Sequence, residues 1–490
     1  MRWVFSELVL LILLMGMLTL AVNIQPVRAS GTIYIRADGS IDPTDAPIST
    51  LDNVTYTLTD NITSAGDGIV VERDNIVVDG AGYTVQGGWP IGTGVDLSGR
   101  SNVTIKDATI RNSWDGIYLN CSNTVTLIGN NIANGGSGIR LDNSSNSHMS
   151  GNNITANHYH GFSLESSLNN SISGNSITNN GWDGIMLINS SNNSISGNNI
   201  TANNSYGIDL SSSISARAFH NTVSGNNLTN NGWGVWVEMY SDNNTITGNS
   251  ITANNGYGIE LGSFSNSVSA NSITANNGKG ISLYGADSNM ISGNSITANN
   301  GTGIDITMYS YNNAVAQNSV ANNLQGISLT YLGDNNTIYR NNFTNNDCGI
   351  YFYSAHNNTF YHNNFKGNSR QIEGEYFSAT VWDDDYPSGG NYWSDYNGTD
   401  ANHDGIGDTP YVIDTDNADH YPLMKPWYQM LGDINFDGKV SLADLVLLAN
   451  AYGSKLGDAK WNPNADIDGN NIVGLSDLVI LANHYGQHYS

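Results

Sequence analysis

The sequence predicts a mainly β protein in which a parallel β-helix of about thirteen coils is followed by a small helical module. Three observations carry this expectation. Of 490 residues, 54 are Gly and about 73 are Asn while only 12% are charged, a bias that signals internal repetition rather than a set of unrelated globular domains. Between residues 68 and 371 a Gly-Ile-x-Leu unit recurs, followed by Asn-x-Ile-Ser-Gly-Asn-x-Ile-Thr-x-Asn-Asn. After residue 427 the composition shifts to two similar acidic stretches, each running into an apolar helical pattern.

At the N-terminus, Arg2 precedes an apolar run from Leu8 to Val22, and Val27-Arg28-Ala29 places small residues at a cleavage point. The run is short for a membrane span, which needs about 20 residues. Residues 1–29 therefore read as a secretory signal, and the mature chain is expected to be secreted or cell-surface associated; cleavage or retention as an anchor stays open. Residues 30–67 are expected to cap the repeat. With 43 Asp and Glu against 17 Lys and Arg, a net charge of −26 and no basic run, nucleic acid is excluded as a partner. Cys121 and Cys348 stand ten repeats apart, beyond the roughly 7 Å Cα reach of a disulfide, so two free thiols are expected.

The repeat is counted by its anchor glycines, from Gly68, Gly94, Gly116 and Gly138 to Gly326 and Gly349, mostly 22 or 23 residues apart. A fixed period of this length marks a solenoid. Ile and Leu alternate with polar residues in three short, β-branched bursts per repeat, so each burst is a strand. The Asn and Gly at the corners tolerate the left-handed backbone that a tight corner needs. Coils stacked about 4.8 Å apart would bury Ile154, Ile177, Ile200, Leu228, Ile251 and Ile273 in one inward stack and Ile185, Ile208, Val235 and Ile259 in another. Asn at equivalent corners would form amide ladders that satisfy the corner backbone.

This pattern resembles the right-handed β-helix repeats of the NosD type and of the wider group of carbohydrate-binding proteins and sugar hydrolases, over residues 68–371. The resemblance implies a right-handed coil and leaves the activity open, since such repeats serve lyases, hydrolases, surface proteins and a periplasmic copper-maturation protein. A copper role would leave clustered His, Met or Cys, and only His158, His160 and Met149 lie close together.

Residues two and four after each anchor glycine are expected to face solvent and to stack into columns. Asp209, Glu238, Glu260 and Asp305 then share one face with Trp233, Trp236, Tyr257 and Tyr284, and Trp182 and Asp183 come one coil earlier. Aromatic rings pack on sugar faces, and carboxylates about 5–10 Å apart are what glycoside hydrolysis requires. Those four acids are the candidate catalytic residues, against the plainer alternative of solvated surface groups. The signatures of pectin hydrolases and pectate lyases are absent, and Arg140 with Asp142 and Glu165 is the one lyase-like grouping. A longer step from Gly207 to Gly234 implies an inserted loop near residues 216–221, carrying Arg217 and His220 over this face.

Residues 372–426 break the repeat and resemble the segment that closes NosD-type β-helices, with Tyr392, Trp393, Tyr396 and Tyr421 to cover the last coil. Asp400, Asn402, Asp404 and Asp408 alternate around Gly405, either as calcium ligands or as an Asx-rich turn.

In the module of residues 427–490, Asp433, Asn435, Asp437, Ser441 and Asp444 occupy positions 1, 3, 5, 9 and 12 of an EF-hand-like loop, with the Lys439 carbonyl at 7. The second loop offers Asp466, Asp468, Asn470, the Ile472 carbonyl and Asp477, with Asn471 in place of the turn glycine Gly438 of the first. One helix follows each loop and the closing acid is Asp, which resembles type I dockerins over residues 432–486. That resemblance implies Ca2+ as cofactor and a cohesin-bearing scaffold protein as partner, read by Leu442-Ala443 and Leu475-Ser476. The chain would be a monomer before docking. Two main readings stay open: an exported polysaccharide lyase or glycoside hydrolase on a docking module, or a non-catalytic adhesion rod with the same module. A metal-maturation protein is the third.

Overall fold

The computed structural model describes residues 31–212, 217–427, 431–435, 439–455, 458, 460–462, 464–468 and 470–488. The signal, Ala216, Asp437 and Gly438 lie outside the described residues. The chain divides into two compact units, residues 1–205 and 206–490, taken in turn.

In the first unit, three parallel sheets run side by side through successive coils. One sheet runs from Ile33–Ile35 through Ile69–Val71 to Ile185–Ile188, and the others end at Ser194–Ser196 and Asn199–Thr201. The short strands form because Ile, Val and Thr alternate inward and outward, and the parallel register sets Ile154 on Ile177 and Ile177 on Ile200. All three are fully buried. The helix begins earlier than residue 68: Ile33–Ile35 pairs parallel with Ile69–Val71, and Thr55–Leu58 with Ile76–Asp79. This coil has the alternation but no Gly-Ile-x-Leu anchor, which is why counting glycines misses it. Only the antiparallel strands Ile41–Asp42 and Ile48–Thr50 behave as a cap.

The second unit repeats the architecture. Its first sheet runs from Tyr206–Ser211 to Arg370–Ser378, and its third reaches Tyr392–Trp393, so the coils also pass residue 371. Leu228, Ile251, Ile273, Ile296, Val320, Phe343 and Phe365 are fully buried in register. At one corner Asn249, Asn271, Asn294, Asn318, Asn341 and Asn363 form the expected ladder, each amide donating to the next carbonyl at 2.9–3.0 Å. The ladder passes to Asn391 and ends on buried Asp419, which accepts from Asn391 N at 2.7 Å and Trp393 Nε1 at 2.9 Å.

The anchor glycines are required by close approach. A Cβ on Gly280 would lie 2.4 Å from Ile296 Cγ2 and 2.6 Å from the Gly303 carbonyl. Gly280→Ala is therefore expected to cost about 1–3 kcal/mol of overpacking, seen as a lower thermal unfolding midpoint with unchanged β-sheet circular dichroism in the cold.

Trp393 closes the last coil, stacked between Phe365 and Tyr411 at 4.5 Å each, while Trp382 lies on Phe360 at 5.0 Å. Tyr396 instead donates to the Thr409 carbonyl. Trp427 pins the start of the module to the coils by exchanging hydrogen bonds with Asn364 and stacking on His362 at 5.5 Å.

Among its described residues the module holds two helices, α1 (Leu442–Ala451) and α2 (Leu475–His484), one after each acidic loop. Ile434, Val440, Leu448, Val473 and Leu481 form its core, with equivalent residues from both halves. Among the described residues no helix is long and apolar enough to cross a membrane.

Candidate functional site

The strand register of the second unit sets Asp209 beside Trp236, Trp236 beside Glu260, Glu260 beside Ser282 and Ser282 beside Asp305. Three of the four candidate acids thus share one column. Glu238 does not: its strand ends at Val237, and it sits at the following corner, accepting from Ser212 N at 3.4 Å. Tyr284 belongs to the second column, beside Thr307.

The column is not solvent-facing as expected. Asp209, Glu260, Ser282 and Asp305 are all buried. The residues immediately before the anchor glycines supply the cover: the Tyr206 ring stacks at 5.9 Å on Trp236, and Lys279 Nζ lies 2.5 Å from Asp305 Oδ2 and 5.2 Å from the Tyr257 ring. Trp233 joins them, 4.7 Å from Tyr257 and 6.2 Å from Trp236. Lys279 was not legible as a site residue because it lies outside the Gly-Ile-x-Leu unit. The available signal was that Tyr206, Trp233, Tyr257 and Lys279 all occupy the position just before the glycine.

Within this enclosure Glu260 is only 8% exposed, and its Oε2 has no hydrogen-bond partner. Burial pushes its carboxyl up to about 7, the Lys279 ammonium opposing and the Asp305 charge reinforcing the shift. The unfolded chain releases this proton from about pH 4.5 and the folded chain only near 7, so stability falls as pH rises across that interval and levels off above it. Glu260→Gln is expected to flatten this slope, measured as unfolding midpoint against pH from 4 to 8.

Arg217, from the inserted loop, pairs with Asp242 at 3.3 Å. In the first unit Arg140 holds Asp142 at 2.9 Å and lies 4.0 Å from Glu165, while Tyr118 donates to Asp142. Asp115 is buried there and pushed up to about 6, chiefly by desolvation. Asp183 is 3.1 Å from His160 Nδ1. The copper candidates do not converge: Met149 is in the core, His158 Nδ1 meets the Gly135 carbonyl, and His160 faces Asp183.

Carboxylate oxygens suited to a hard cation gather in the module. Those of Asp466, Asp468 and Asp477 lie within 4.8 Å of one another. Asp477 is positioned by accepting from Ile467 N and Gly474 N, and Asp444 is placed alike in the first loop by Ile434 N and Ser441 N. Asn471 takes φ +67, the left-handed turn expected of it. In the cap, Asp400 accepts from Asp404 N and Gly405 N and Asp408 from Ala401 N, while Asn402 and Asp404 each accept from the N–H two residues on, as Asx-turns do.

A family model described as periplasmic copper-binding protein (NosD) matches residues 60–255, and one described as right handed beta helix region matches residues 234–386. No curated protein matches the chain. Among solved structures it is similar to the A-module of a mannuronan C-5 epimerase from Azotobacter vinelandii, at 16% identity over 67% of this chain and 88% of that one, with a TM-score of 0.40. An alpha-1,3-glucanase catalytic unit from Streptomyces thermodiastaticus shares 15% over 57% of this chain and 66% of its own, TM-score 0.43. A periplasmic alginate epimerase shares 15% over 72% and 84%, TM-score 0.34. The parallel coils and the two family matches together show a right-handed parallel β-helix over residues 60–386.

Proposed function

We propose that the chain is an exported glycan-binding and glycan-cleaving β-helix, carried by a calcium-dependent docking module. The observation that carries the glycan reading is Glu260, a buried carboxyl with an unpartnered oxygen, raised to about 7 amid aromatic rings and beside the Lys279–Asp305 pair. Protonated near neutral pH, it serves as general acid to the leaving glycosidic oxygen. Asp305, two coils away in register, serves as base to water. Two coils separate Cα atoms by roughly 10 Å. From there the carboxyl groups reach the spacing of about 6.5–9.5 Å that inverting hydrolysis uses. Trp233, Trp236 and Tyr257 offer rings for sugar faces, and Asp209 a flanking acceptor. The test is incubation of the full chain with neutral and acidic polysaccharides, following reducing ends, unsaturated uronates and polymer retention. Reducing ends support the reading, and unsaturated uronates replace it with a lyase. A non-catalytic adhesion rod is the second reading, favoured by how little of Glu260 solvent reaches, and retention without any product selects it.

Export through residues 1–29 accords with the periplasmic description of the matched NosD family. A copper-maturation role is disfavoured by the burial of Met149. The module is read as a type I dockerin. Asp433, Asn435, Asp437, Ser441, Asp444 and the Lys439 carbonyl would hold one Ca2+, and Asp466, Asp468, Asn470, Asp477 and the Ile472 carbonyl another. Leu442 and Leu475, 63% and 66% exposed at the starts of α1 and α2, would meet a cohesin-bearing scaffold. Calorimetry of the full chain is expected to find two module sites. In the Asp466→Asn, Asp468→Asn double variant one of them weakens at least tenfold, and an unchanged titration contradicts the assignment.

A further inference from the structure

The first unit presents a group of rings that the glycan reading above does not use. Trp89 stacks at 5.8 Å on Trp114, Tyr159 meets Trp114 at 5.6 Å, and Trp182 meets Tyr159 at 5.0 Å. Trp89 remains 42% and Trp182 52% exposed. Exposed contiguous aromatic surface on a protein of this composition marks a binding site rather than a core. The patch is built in, because a Cβ on Gly136 would lie 2.3 Å from the Trp114 carbonyl and 3.2 Å from the Trp89 ring. The Trp114 backbone requires glycine there, and the Trp89 indole lies directly over the space this leaves.

Alongside the rings runs a row of buried polar groups on neighbouring coils. Asp115 pairs in register with Ser137, Gly138 N donates to the His160 carbonyl, and Gly161 N donates to that of Asp183. His160 and Asp183 face each other at 3.1 Å. Rings beside hydrogen-bonding groups suit a ligand with apolar faces and hydroxyl edges. Charge narrows the class further: Asp115, Asp142 and Glu165 act on one guanidinium, Arg140, already paired with Asp142, and Asp183 adds a fourth carboxylate beside His160. A polyuronate would be repelled.

We propose that the first unit carries a glycan-binding platform of its own, in which Trp89, Trp114, Tyr159 and Trp182 with the His160–Asp183 pair take an uncharged sugar chain. It shares its ligand class, but no residue, with the reading built on Glu260. The test is affinity electrophoresis of the full chain carrying Glu260→Gln through gels holding xyloglucan, a β-1,3-glucan, galactomannan, polygalacturonate or alginate. At least one neutral polymer is expected to retain it. Trp89→Ala and Trp182→Ala should each weaken retention by about tenfold, as expected for loss of an aromatic contact. Trp182→Phe should restore much of it, and Tyr376→Ala, an exposed ring in the second unit, should change nothing. Retention by no polymer, retention by polyuronates alone, or retention indifferent to both tryptophans overturns the platform. If the wild type cleaves a glycan but the tryptophan variants bind it normally, the platform falls and the Glu260 reading stands. Tryptophan-dependent retention in a wild type that releases no product has the opposite meaning.

Discussion

Asn294→Leu is expected to destabilise the second unit by roughly 3–6 kcal/mol, although leucine nearly matches asparagine in size and the site is fully enclosed. The Asn294 amide donates to the carbonyls of Val268 at 2.9 Å and Ser292 at 3.1 Å and to Asn318 Oδ1 at 2.9 Å. Its own oxygen accepts both the backbone N–H and the side-chain amide of Asn271, each at 3.0 Å. Leucine removes all five bonds. The Asn271 amide keeps the Ile246 carbonyl and Asn318 Oδ1 keeps the backbone N–H of residue 294, but the buried Asn271 N–H loses its acceptor and the Val268 carbonyl loses its amide donor, at about 1–3 kcal/mol for each orphan. The loss should be local at first, because each coil rests only on its neighbours, so hydrogen exchange around residues 268–294 should accelerate before the remaining coils respond. Asn300, whose amide bonds to Asn277 in an exposed setting, is the control. Asn300→Leu should shift stability by no more than about 0.5 kcal/mol. Thermal unfolding of the two variants side by side checks the contrast, and equal effects would mean that the corner ladder is not what holds the coils in register.

Glu260→Gln should reduce glycan cleavage by about 10²- to 10⁴-fold, the range expected when a general acid is removed, while leaving polymer affinity within a few-fold. The amide keeps the shape and cannot supply a proton. The wild type should lose activity as pH rises through about 7, where Glu260 ionises, and any residual activity of the variant should lack that limb. Asp305→Asn is a harsher change, since it leaves the half-buried Lys279 ammonium without its carboxylate. Its loss of activity should come with a lower unfolding midpoint, which Glu260→Gln should not show at acid pH.

Much of this was legible in the chain. Period and alternation placed Ile177, Ile251 and Ile273 in the core, and the recurring corner asparagines foretold the ladder, because both depend on backbone geometry that repeats with the sequence. The left-handed turn at Asn471 followed from loop spacing in the same way. What escaped was set by contacts between coils. The first coil at Ile33–Ile35 has the strand alternation without the glycine anchor. Asp209 and Glu260 read as exposed because alternation points them outward, yet Tyr206, Tyr257 and Lys279 fold over that column from a position the repeat leaves free. Glu238 was counted onto the same face, four residues after its glycine, and it lies just beyond the end of its strand at Val237. In the cap, Trp382 and Asp419 lie in segments with no period at all, so nothing in the sequence ties them to Phe360 and the end of the Asn ladder.

The central claim, that the Glu260 column cleaves a glycan with Asp305 two coils away, is tested most directly by proton NMR of polysaccharide digestion with the wild type and Glu260→Gln in parallel. Wild-type product is expected to appear first as a single inverted anomer, and the variant to yield none on the same timescale. Product formed equally well by Glu260→Gln, or no product from any neutral or acidic polysaccharide, would contradict it.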